Sequence, residues 1–183
     1  MITTNDELST LCDAVRQTTA VALDTEFVRT RTYYPQLGLI QLFDGERTAL
    51  IDPLNITDWS PLQAILQDRN ITKFLHAGSE DLEVFMNTFG SMPQPLIDTQ
   101  VLAAFCGRPM SWGFAPMVAE YSGVELDKSE SRTDWLARPL TTRQCDYAAA
   151  DVWYLLPIAH KLMAETEQAG RLDWALNECH LMQ

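Results

Sequence analysis

What most constrains the fold of this chain is the order in which strand-like and helix-like segments follow one another. Apolar runs of strand length come close together at the start: VALDTEF (21–27), GLIQLF (38–43) and TALID (48–52). Asp44-Gly45, between the second and third, is a hairpin signal, because such turns need backbone angles that Gly reaches without steric cost. The pattern then changes. SPLQAILQ (60–67) opens with Ser60 and Pro61, a helix start, and TKFLHA (72–77) reads as a fourth strand. Ser79 is placed to cap a helix running to about Phe89 with Gly90 as its stop, and LIDT (96–99) is a short fifth strand continued by helix through Cys106. A meander followed by strands alternating with helices predicts an α/β fold in which a mixed β-sheet is flanked by helices.

The remaining segments fit this scheme. Residues 5–17 read as an amphipathic helix, 114–121 as another, and 123–140 as an irregular stretch holding several charges and Trp135. A long helical stretch begins near Thr141, and Pro157 should kink or split it. RLDWALNECHLMQ begins a further helix. At 183 residues the chain fits one domain, and no apolar run approaches the ~20 residues that span a bilayer. MITTNDELST lacks the basic and apolar regions of a signal peptide, so the cytoplasm is the expected compartment. Cys12, Cys106, Cys145 and Cys179 are far apart and without zinc-ligand spacing, which suits buried reduced thiols. The net charge of −12 argues against a broad nucleic-acid-binding surface, since affinity for phosphates comes largely from Lys and Arg. It leaves two possibilities. Either the substrate is not nucleic acid, or binding is local and assisted by metal, because carboxylates that hold cations make an unloaded chain look acidic.

The carboxylates narrow the choice. Asp24 and Glu26 lie two apart in an otherwise apolar strand, so the period of two puts both on one face of the sheet. Buried, the pair needs compensation, and a hard divalent cation supplies it. At a strand end, an exposed pair bridged to Arg29 or Arg31 explains them equally well. Asp81 sits at a helix start, where a negative side chain also favours the helix dipole. Tyr147 and Asp151 are four apart and share one helix face among small alanines, either as a core tyrosine bonded to an acid or as part of a site. His76, at a strand end near Asp81, suits a satisfied core or supporting histidine better than a ligand, and His160 and His180 carry no partner pattern.

Taken together, a strand D-x-E, an acid at a helix start and a helical Y-x-x-x-D resemble the DEDD exonuclease superfamily. DTEFVRTRTYYPQLGLIQLF, FLHAGSEDLEVF, LIDTQVLAAFCG and LDKSESRTDWLARPLTTRQCDYAAADVWYLLPI are similar to ribonuclease D through nearly the whole chain. Asp146 stands where the histidine subtype carries His, so the tyrosine subtype is the match. The resemblance implies a ribonuclease H-like exonuclease fold and a single 3′-5′ exonuclease domain over 1–183, without the accessory helical domains that usually follow in ribonuclease D. It implies hydrolysis of RNA from its 3′ end, tRNA maturation among the uses, with release of nucleoside 5′-monophosphates. Two divalent ions, Mg²⁺ or Mn²⁺, would be held by Asp24, Glu26, Asp81 and Asp151, with Tyr147 orienting the attacking water.

Single-stranded RNA 3′ ends, tRNA precursors among them, are therefore the expected partners. Phe27, Tyr33, Tyr34, Trp112, Phe114 and Trp135 are candidates for stacking on bases, with core packing the competing role for each. Lys128, Arg132 and Arg138 are candidates for phosphate contacts, with a solvated loop face as the competing role. A DNA exonuclease of the same superfamily, or an inactive RNA-binding scaffold, would share much of this pattern. An inactive scaffold would be expected to lack a carboxylate, and none is missing.

Overall fold

The computed structural model describes residues 1–29 and 33–183. Among them, β1 (Ala20–Val28), β2 (Gln36–Phe43), β3 (Thr48–Ile51), β4 (Thr72–Leu75) and β5 (Leu96–Asp98) form one sheet in the order β3-β2-β1-β4-β5. The β1/β2 and β2/β3 pairs are antiparallel, while β1/β4 and β4/β5 are parallel, so the mixed sheet is as expected. The expected helices are α1 (Asn5–Val15), α2 (Ser60–Gln67), α3 (Ser79–Phe89), α4 (Thr99–Phe105) and α5 (Phe114–Ser122). The long stretch after Thr141 is split into α6 (Thr142–Trp153) and α7 (Leu155–Gln168), and α8 (Leu172–His180) follows. The break falls at Tyr154 because the ring of Pro157 excludes a regular carbonyl at Trp153, four residues earlier. No described helix is long and apolar enough to cross a membrane.

Alternation along β1 sorts its side chains into two layers. Val21 and Leu23 pack with α1, α2 and α3, whereas Ala22 points to the opposite face and packs with α4, α5, α7 and α8. By the same alternation Asp24 and Glu26 fall on the Ala22 face, and Thr25 falls on the α3 face. Helix α6 lies across β1, β2 and β3 on the carboxylate side.

Three local features position that helix. The register between β1 and β2 shifts at Glu26/Phe27, leaving Gly38 without an opposite partner. A Cβ on Gly38 would lie 2.5 Å from the carbonyl oxygen of Trp135, so only glycine lets segment 123–140 come down on the sheet. Arg138 then fixes the segment: its guanidinium donates to both Asp52 oxygens (2.9 and 3.0 Å) and to the carbonyls of Gly38 (2.7 Å) and Trp135 (2.8 Å). Finally, Thr141 and Gln144 form a capping box on α6, and Gln144 Nε2 reaches back to Thr133 Oγ1 at 2.9 Å.

One expectation about α3 is corrected. Ser79 is its first helical residue and not its cap; Gly78 holds that position with no side-chain capping bond. Strand β4 ends at Leu75, and Ala77 reverses the chain at φ 53°. Asp98, at the end of neighbouring β5, accepts from the N–H groups of Ala77 (3.0 Å) and Gly78 (2.9 Å). Asp98 thus ties down the turn that leads into α3 from a different strand, and its side chain also caps α4 by accepting from Gln100 N–H. Of the cysteines, all free, Cys12 and Cys179 are buried as expected, whereas Cys106 and Cys145 are only half-buried.

Candidate active site

Strand β4 stops pairing with β1 at Ala22, and β1 runs on toward Val28 paired only with β2. The gap beside it, past the carboxyl end of β4, is filled by the first turn of α3. Asp81 therefore approaches β1 edge-on: its carboxylate accepts from the Thr25 hydroxyl and lies near Asp24. From the other face comes α6, whose close approach its small Ala148 permits, bringing Tyr147 and Asp151 over Asp24 and Glu26. One ligand atom from each of Asp24, Glu26 and Asp151 falls within 4.8 Å of the others. Asp81 is not in that tight group and meets it through Asp24.

These acids are poorly solvated. Glu26 and Asp81 are 8% and 7% exposed, and Asp24 and Asp151 are half-buried. Burial, and next the charge of Asp24, pushes Glu26 up to about 9. Burial first, then the neighbouring acids, raises Asp24, Asp81 and Asp151 well above the usual carboxylate range. Among the described residues no salt bridge reaches any of the four. Arg29, one suggested partner, instead pairs with Glu83 at 2.9 Å, and Arg31 lies outside the described residues. An all-oxygen donor set, crowded and without a basic partner, fits a hard divalent cation.

Tyr147 is half-buried with its ring tilted against Trp135, centroids 6.1 Å apart. Burial and the charges of Asp151, Glu26 and Asp24 hold its phenol above the ordinary tyrosine range, so it stays protonated near neutral pH and keeps a hydrogen to donate. Asp24, Tyr147 and Asp151 open onto a cavity of about 470 Å³ whose wall also includes His76, Phe114 and Lys128. His76 is not free to ligate: Nδ1 meets Thr99 Oγ1 and Nε2 meets the Trp112 carbonyl, both at 2.7 Å.

The substrate-contact candidates divide. Lys128 is exposed on the cavity wall, and Phe114 lines it. Phe27 is half-buried at the strand bulge beside Glu26 and is not on the wall. Arg132 is exposed but also off the wall. Two expectations are corrected. Trp135 is wholly buried beneath α6 and offers no face to a base. Arg138 spends its guanidinium on Asp52 and backbone carbonyls, so it is a clamp within the fold and not a phosphate contact. Trp112 is likewise buried, at 9% exposed, while Tyr33 and Tyr34 are exposed and off the wall. Sequence reasoning missed Thr25 and Gln41, which bond to Asp81 and Glu26. A lone polar residue within GLIQLF was the available signal for Gln41.

Comparison with known proteins gives a consistent set of relatives. The family model described as a 3′-5′ exonuclease matches residues 1–167. Ribonuclease D of Escherichia coli (strain K12) is 80% identical over 183 residues, covering 100% of this chain and 49% of its own length. Ribonuclease D of Haemophilus influenzae is 51% identical over 181 residues, covering 96% of this chain and 45% of its own. The crystal structure of Escherichia coli RNase D, described as an exoribonuclease involved in structured RNA processing, matches with a TM-score of 0.98 at 80% identity, over 100% of this chain and 48% of that one. Brucella melitensis NrnC with bound Mg²⁺ matches with a TM-score of 0.79 at 29% identity, over 91% of this chain and 82% of that one. The chain spans about half the length of the ribonuclease D relatives.

Proposed function

Because this chain belongs to the 3′-5′ exonuclease family, we propose that it hydrolyses single-stranded RNA from the 3′ end, as ribonuclease D does, with Asp24, Glu26, Asp81, Tyr147 and Asp151 as its active site. The observation that carries this is the convergence of Asp24, Glu26 and Asp151 within 4.8 Å beside a cavity of about 470 Å³. Asp24, Glu26 and Asp151 would hold one divalent ion, and Asp24 with Asp81 would hold a second, Mg²⁺ or Mn²⁺. The Mg²⁺ bound in NrnC supports the former. Loaded in this way, the site supplies charge neutralisation at the phosphodiester and a water acidic enough to react near neutral pH.

The chain's own groups do the positioning. Tyr147 would hydrogen-bond to the attacking water through its phenolic O–H and align it. Lys128 meets a substrate phosphate at the cavity mouth, Phe114 offers a ring for a base, and Phe27 abuts the terminal nucleotide from the strand bulge. Product leaves as a nucleoside 5′-monophosphate, and tRNA precursors are among the natural substrates. The high identity to ribonuclease D favours RNA over DNA.

Matched RNA and DNA oligonucleotides, labelled at either end and incubated with Mg²⁺, Mn²⁺ or chelator, test this. RNA should shorten stepwise from its 3′ end with metal and remain intact with chelator. Equal or faster loss of DNA would make the enzyme a DNA exonuclease. Binding without cleavage in either metal would make the chain an RNA-binding module.

A further inference from the structure

Gln41 lies in the middle of β2, directly across the antiparallel pair from Asp24, in the apolar run Leu39-Ile40-Gln41-Leu42-Phe43. It is 0% exposed. Its Nε2 donates to Glu26 Oε1 at 3.1 Å, while its own Oε1 is buried with no hydrogen-bond partner among the described residues. A side chain kept for stability alone would not leave a carbonyl orphaned in a sheet core, since an apolar residue of the same shape avoids that desolvation cost. The bond it does make fixes one oxygen of Glu26, a buried member of the tight trio.

We propose that Gln41 is a positioning residue, which by holding Glu26 Oε1 turns the other oxygen of that carboxylate toward the divalent cation. This inference rests on the site assignment made above. Partners of this kind orient a ligand before the ion arrives, and losing one typically weakens metal binding ~10–100-fold. Because Glu26 is reached from the strand by a flexible side chain, without Gln41 its carboxylate can turn away from Asp24 and Asp151.

A double-mutant cycle on Mn²⁺ affinity, read by calorimetry on the full 183-residue chain, tests it. Gln41→Met keeps the volume and removes donor and orphan together. A cooperative melting curve confirms that it folds, and its Mn²⁺ affinity should be ~10–100-fold lower. Gln41→Asn, an amide one methylene too short, should show the same loss and serves if the Met variant does not fold. In a Glu26→Gln background neither change should weaken Mn²⁺ binding further. Unchanged Mn²⁺ affinity in Gln41→Met, or losses that add in the double variant, would overturn the positioning role. Unchanged affinity in Glu26→Gln itself would instead overturn the site assignment beneath it.

Discussion

At the residue scale, the four acids carry opposite consequences for folding and for catalysis. Burial lifts Glu26 from 4.5 to about 9, so between those values the folded chain binds more protons than the unfolded one. Stability then falls as pH rises through that window, because ionising the cluster opposes the fold. In chelator the melting temperature should drop from pH 5 toward pH 9; saturating Mg²⁺ should restore most of the loss at the alkaline end. A chelated protein that melts higher at pH 9 than at pH 5 would mean the cluster is solvated and unstrained. For the same reason Asp81→Asn and Asp151→Asn should raise the metal-free melting temperature while abolishing turnover. Tyr147→Phe separates two roles. A donor to the attacking water predicts a ~10²–10⁴-fold loss of rate with Mn²⁺ affinity intact. A core tyrosine predicts about 1 kcal/mol of lost stability with the rate unchanged.

At the element scale, the proposed activity requires α6 to be held at the right height over β1 by segment 123–140. Gly38→Ala forces a methyl against the Trp135 backbone. It should destabilise by about 1–3 kcal/mol, as overpacked sites do, and lower kcat because Tyr147 and Asp151 ride on the displaced helix. Arg138→Gln should cost about 1.5–3 kcal/mol through the lost charge-assisted bonds to Asp52, while KM for RNA stays unchanged. A raised KM without loss of stability would restore Arg138 as a phosphate contact. The strands and helices around this segment were readable in the sequence because each has a period, and Asp24 and Glu26 stood out as acids in an apolar run. Segment 123–140 has no period, so nothing local distinguished buried Trp135 and clamped Arg138 from exposed Lys128. What holds the turn before α3 was hidden for another reason: Asp98 is distant in sequence and close only through the pairing of β4 with β5.

At the scale of the whole molecule, a chain of net charge −12 would grip an anionic polymer only where its own acids are neutralised. Among the described residues, the ammonium of Lys128 makes no ion pair on the cavity wall, whereas Arg143 there is engaged by Asp127 at 3.1 Å. Salt should therefore weaken RNA cleavage only gently, with a logarithmic slope of kcat/KM near that of one or two phosphates, about 0.7 each for a single strand. A much steeper slope would point to a cationic surface that these residues do not form. That carboxylates from β1, α3 and α6 hold the metal at which RNA is cut can be checked by following 5′-labelled single-stranded RNA with Mg²⁺ for the unaltered chain and for Asp24→Asn, each confirmed folded by its melting curve. The unaltered chain should yield a ladder shortening by single nucleotides, and the folded Asp24→Asn chain should leave the RNA whole. An equal ladder from Asp24→Asn would contradict it.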